Sequence, residues 1–122
     1  MQYMMLIYET QKDFQARTGD EKSPYIAAWR AYYRSVVDAG VYVGGDPLQP
    51  VDTATTVRLQ AGKRHVQDGP YADTKEQLGG VMVLELPSLD AALDYAARCP
   101  AAATGAVEVR PLAGPAREKI VH

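Results

Sequence analysis

Two hydrophobic periods alternate along the chain, and the switches between them mark its elements. Tyr3-Met4-Met5-Leu6-Ile7-Tyr8 is an unbroken run of large apolar and aromatic residues that reads as a strand. A period of two puts Tyr3, Met5 and Ile7 on one face and Met4, Leu6 and Tyr8 on the other, so both faces are apolar. Residues 9–22 are polar with no clear period and read as a loop. Helical spacing then takes over. Ser23 suits an N-cap and Pro24 the first helical position, while Ile26, Trp29, Tyr33, Val36 and Val37 recur as a buried stripe. Gly40 supplies the stop. Val41 to Val43 predicts a short strand that runs into a Gly44-Gly45-Asp46-Pro47 loop.

Thr55 to Leu59 and Arg64 to Gln67 read as a hairpin turning at Ala61-Gly62-Lys63. Val81 to Leu86 is the strongest strand, apolar on both faces until Glu85. Ser88 caps a second helix with Leu89, Ala92, Leu93 and Ala96 on its inner face, and Asp94 stands four residues before Arg98. Pro100 limits that helix, residues 101–105 connect, and Val107 to Leu112 is the last strand. The order predicts an α+β domain over residues 1–112: a ferredoxin-like βαββαβ arrangement with an extra hairpin strand. Residues 113–122 read as a loose tail. With both helices on one side of the sheet, the other side is left apolar and bare, which predicts a homodimer through the open sheet face.

Composition narrows the function classes. With 122 residues the chain is long enough to bury roughly 65% of its unfolded surface as one domain. A formal net charge of -2 offers no basic excess for phosphate neutralisation, which argues against nucleic acid. The N-terminal apolar run is too short for a signal core or a membrane span, and the lone Cys99 suits a reducing compartment, so a cytoplasmic protein with no membrane partner is expected. Two histidines and no ligand-spaced acid cluster predict no metal, and no phosphate loop or dinucleotide fingerprint predicts any other cofactor.

Candidate chemistry concentrates in Asp68-Gly69-Pro70-Tyr71-Ala72-Asp73-Thr74-Lys75-Glu76-Gln77-Leu78-Gly79-Gly80. Asp68 and Glu76 are candidate acid–base carboxylates. Each also has a structural reading, Asp68 as a turn acid bonding the amides that follow it and Glu76 as the far half of an Asp73-x-x-Glu76 capping box. Lys75 or Arg30 would hold an anionic group, and Tyr71 would pack on a ligand. Tyr8 and Trp29, with other tyrosines, suit a planar organic molecule, and Asp46 in its glycine-flanked loop is a further candidate contact.

Asp68-Gly69-Pro70-Tyr71 followed by Thr74-Lys75-Glu76-Gln77-Leu78-Gly79-Gly80 resembles the DGPF motif of the YCII-related proteins. Tyr3 to Tyr8, Gly44 to Pro50, Thr55 to Arg58 and Val107 to Pro111 fit the same pattern. The resemblance implies a dimeric α+β barrel. It also implies either a cofactor-free lyase or hydrolase acting on a small aromatic or quinone-like substrate, or a non-catalytic small-ligand-binding or regulatory accessory protein linked to an extracytoplasmic-function sigma factor. Informal matching sets Trp29 where other members carry a histidine, and Cys99 near their acid. A histidine–aspartate mechanism is therefore not implied, and any chemistry rests on the residues of the DGPF-like loop.

Overall fold

A computed structural model describes residues 1–19 and 22–120. Four strands form one antiparallel sheet in the order β2-β5-β1-β6: β1 (Gln2–Glu9), β2 (Tyr42–Pro47), β5 (Gln77–Glu85) and β6 (Ala106–Pro111). β3 (Thr55–Gln60) and β4 (Lys63–Asp68) pair only with each other, as a second sheet of two strands. The hairpin is thus a separate arm, not an added strand of the main sheet.

The period of two in β1 is realised as expected. Tyr3, Met5 and Ile7 are buried, and they pack with Met82, Leu84, Tyr32, Val36, Ala92 and Ala96 in one core. Since α2 (Pro24–Asp38) and α3 (Leu89–Arg98) both contribute to that core, both cover the same face of the sheet. Met4, Leu6 and Tyr8 lie on the other face, half-buried.

Ser23 and Ser88 cap α2 and α3, accepting from the amides of Ile26 and Ala91. Gly40, at φ 72°, ends α2 in the left-handed conformation. The hairpin turns through Ala61 and Gly62, both at positive φ, as a two-residue turn matching the strand twist requires.

Several expectations need correction. The loop expected over 9–22 is corrected across 9–18, with residues 20 and 21 outside the described residues: Glu9 ends β1, and α1 (Gln11–Thr18) follows, capped by the Thr10 hydroxyl accepting from the Asp13 amide. A helix this polar carries no apolar period, and its cap was the signal to read. On α2 the stripe contains Tyr32, with Tyr33 more exposed; on α3, Leu89 and Leu93 are each 49% exposed, and Tyr95 and Cys99 pack inward beside Ala92 and Ala96. Arg98 does not pair with the Asp94 carboxylate; its Nε donates to the Asp94 carbonyl at 3.3 Å and its guanidinium covers the Tyr95 ring. The Gly44-Gly45-Asp46-Pro47 stretch is strand, not loop. A side chain on Gly45 would collide with the Val81 carbonyl, so glycine lets β2 run close against β5.

The tail is also placed as far as Ile120, residues 121 and 122 lying outside the described residues. Gln2 binds the Arg117 backbone in both directions, at 2.8 and 2.9 Å, and the Ile120 amide donates to the Val43 carbonyl at 3.1 Å. The Ile120 side chain sits where a side chain on Gly44 would be. Residues 112–120 therefore cross from β6 over β1 to β2 on the face away from the helices. No helix among the described residues is long and apolar enough to cross a membrane.

Candidate functional site

The odd-numbered side chains of β1 all point toward the helices, and Glu9 is the last of them. Its carboxylate is buried, and it lies against Gly79 so closely that any side chain there would overlap its Oε1. The room comes from the register. Ile7 faces Gly80 and Tyr8 faces Leu78, so Gly79 is the extra residue of a bulge.

Two groups answer the buried charge. Arg17 of α1 brings Nε to 3.1 Å from Glu9 Oε1, an ion pair whose N–H is not aligned for a hydrogen bond. Its Nη2 donates to the carbonyls of Gly79 at 2.9 Å and Leu48 at 3.1 Å, and its guanidinium lies over the Phe14 ring. Tyr25 of α2 donates its hydroxyl to Glu9 Oε2 at 2.6 Å. Burial first, and then the bond to Glu9, push the Tyr25 phenol well above its ordinary pKa, so it stays a proton donor.

Beside this cluster a cavity of about 520 Å³ opens between α2 and the sheet. Ile7, Ile26, Tyr33, Tyr42 and Met82 give it almost wholly apolar walls; Glu9 and Arg17 line one part, and Arg30 and Asp46, both exposed, line another. Trp29 also lines it, held edge-on between Tyr25 and Tyr32 at centroid distances of 6.3 and 5.8 Å. The Trp29 indole nitrogen is buried with no well-aligned hydrogen bond, and it stands close enough to the Tyr25 phenol to oppose the rise in its pKa. A volume of this order suits a one- or two-ring ligand.

The structure brings three expected site residues, Trp29, Arg30 and Asp46, to this cavity, and it places the others elsewhere. Tyr8 lies on the opposite face, its hydroxyl 3.5 Å from Glu108 Oε1. Lys75 borders a separate depression between α1 and residues 49–52. Tyr71 is 77% exposed under the Arg58 guanidinium. Asp68 is exposed at the end of β4, where the Gly69 amide bonds the Ala54 carbonyl. Glu76 caps no helix, because none begins there; the Thr74 hydroxyl donates to its carbonyl instead. Among the described residues no three His, Cys, Asp or Glu side chains gather as a metal site. Sequence reasoning missed Glu9, Arg17 and Tyr25. The available signal for Glu9 was parity, one step beyond Ile7 on the core face of β1.

Residues 1–114 match the YCII-related domain. The chain belongs to the YCII-related family. An uncharacterised protein of Rhizobium meliloti (strain 1021) is 39% identical over 115 residues, covering 93% of each chain. Among solved structures, this YCII-related chain is similar to 5-chloro-2-hydroxyhydroquinone dehydrochlorinase from Burkholderia phenoliruptrix AC1100, in a complex with 2,5-dihydroxybenzoquinone. The TM-score is 0.53 at 19% identity, covering 92% of this chain and 93% of that one. That likeness is one of fold.

Proposed function

We propose that this YCII-related protein binds a small planar phenol or quinone between α2 and the sheet and moves a proton on it without a cofactor. The observation that carries this reading is a buried Glu9–Arg17–Tyr25 cluster beside an apolar cavity of about 520 Å³. Glu9 is the general base, since its carboxylate lines the cavity. Arg17 fixes its position, the Trp29 indole N–H on the cavity wall donates to a ligand oxygen, and Arg30 at the rim attracts an anionic form. The dihydroxybenzoquinone held by the structural neighbour is of the size and polarity the reading calls for. The fold we assign is the ferredoxin-like βαββαβ plan, pairing through the open sheet face into a dimeric barrel.

A second reading, binding without catalysis, is favoured by one observation: both Glu9 oxygens already face partners. Asp68 and Glu76 remain the competing acid–base pair, from outside the cavity. A panel of hydroxyquinones and phenols, screened by thermal stabilisation and then by turnover, tests the assignment. Glu9→Gln should keep ligand stabilisation within about threefold and lower turnover by about 10²-fold or more. Turnover lost instead in Asp68→Asn or Glu76→Gln, with Glu9→Gln active, moves the chemistry to the loop. Binding with no turnover in any variant leaves the non-catalytic reading.

A further inference from the structure

The hairpin arm is amphipathic, yet neither of its faces is covered. Opposed residues in an antiparallel pair share a face, so Val57, Val66, Leu59 and Arg64 lie on one side. Arg58, His65, Gln60 and Lys63 lie on the other. Val57, Leu59 and Val66 are 57%, 75% and 58% exposed. A lone two-stranded hairpin is marginal in water, and an apolar face left open invites a partner.

The same chain carries a surface that complements it. On α3, Leu89 and Leu93 sit one turn apart, each 49% exposed, next to Asp90 and Asp94. The arm sets Arg58, Lys63 and Arg64 against a single acid, Asp68, whereas α3 sets two acids against Arg98. Arg98 is itself turned back onto Tyr95 and the Asp94 carbonyl. A basic apolar ribbon and an acidic helix with bare leucines match in both charge and polarity. Six-residue strands give the arm a reach of about 20 Å, enough to pass a stacked sheet roughly 10 Å away and touch the helix layer behind it.

We propose that the arm docks on a second copy of this chain, with Val57, Leu59 and Val66 seated on the partner's Leu89 and Leu93 and Arg64 facing the partner's Asp94. The exchange is mutual, each chain giving an arm and receiving one, as two-fold symmetry demands. It rests on the reading that two chains pair, and it adds where the arm goes.

Sedimentation equilibrium of the full chain tests it. Wild type should be dimeric, and Leu59→Asp should weaken the pair at least tenfold. Arg64→Glu should weaken it too, and mixing Arg64→Glu chains with Asp94→Arg chains should restore it. Leu59→Cys and Leu93→Cys chains, mixed and oxidised, should give a disulfide-linked species of twice the chain mass that neither gives alone; Cys99 is buried and does not compete. A wild-type dimer indifferent to both arm variants overturns the arm while leaving sheet pairing intact. A monomeric wild type overturns both. Cross-linking by Leu59→Cys alone means arm meets arm, and α3 is not the seat.

Discussion

Cys99 shows how burial can dominate the behaviour of a residue. Its thiol is buried against α3, and desolvation pushes its pKa from 9.0 up to about 11. The folded state therefore holds the thiol proton more tightly than the unfolded chain. That contribution to stability is whole below about pH 9 and is lost as pH rises toward 11, by an amount on the order of 2 kcal/mol. Tyr25, Tyr32 and Tyr42 are raised in the same direction, chiefly by burial, and add to the alkaline loss. Urea unfolding from about pH 7 to 11 should show a plateau and then a decline, and Cys99→Ala should flatten its first part. The inert thiol was legible in the sequence, where no histidine stands near Cys99 to activate it. Glu9 was not, since a polar residue after an apolar run resembles the end of a strand whichever face it takes.

At the scale of elements, legibility followed the strength of the apolar period. β1, β5, α2 and the hairpin were visible because their patterns repeat over several residues. The helix phase of α2 was ambiguous, as Tyr32 and Tyr33 stand three and four residues after Trp29; only packing puts Tyr32 inside, where its hydroxyl donates to the Tyr95 carbonyl at 2.8 Å. α1 was invisible for a physical reason. Eight residues with a single large apolar side chain, Phe14, do not sustain a helix alone. Its attachments are tertiary: the Thr104 hydroxyl donates to the Asp13 carboxylate, and Arg17 ties it to Glu9, Gly79 and Leu48. Arg17→Ala should therefore loosen α1 first. Hydrogen exchange should accelerate across 14–18 by about tenfold or more, with α2 amides little changed. Uniform acceleration across both helices would mean that α1 has no independence to lose.

For the molecule as a whole, the open face predicted from β1 exists, but the chain's own tail roofs one end of it. Val43 and Val83 are buried outside the main core, beneath the path from Arg117 to Ile120. The sequence showed a tail with Gly114 and Pro115 and gave no pattern from which to place it; its anchors are the paired Gln2–Arg117 hydrogen bonds, the bonds of Lys119 to the Gly40 carbonyl and of Ile120 to the Val43 carbonyl, and one isoleucine side chain. Ending the chain at residue 115 should lower stability by about 1–2 kcal/mol, since a half-covered isoleucine and the two valines beneath it return to water. An unchanged urea midpoint would mean that those residues add nothing to the fold.

The bulge at Gly79 ties together parts that would otherwise be independent. β5 carries Gly79 and Gly80 into the cavity wall, and residues 69–76 lead directly from the arm into that strand. Seating the arm and filling the cavity thus draw on one short piece of backbone. Thermodynamic reciprocity follows wherever the two are coupled: whatever factor association adds to ligand affinity, the ligand adds to association. A titration of the small molecule would then read out as a change in mass, and dilution of the protein as a change in affinity.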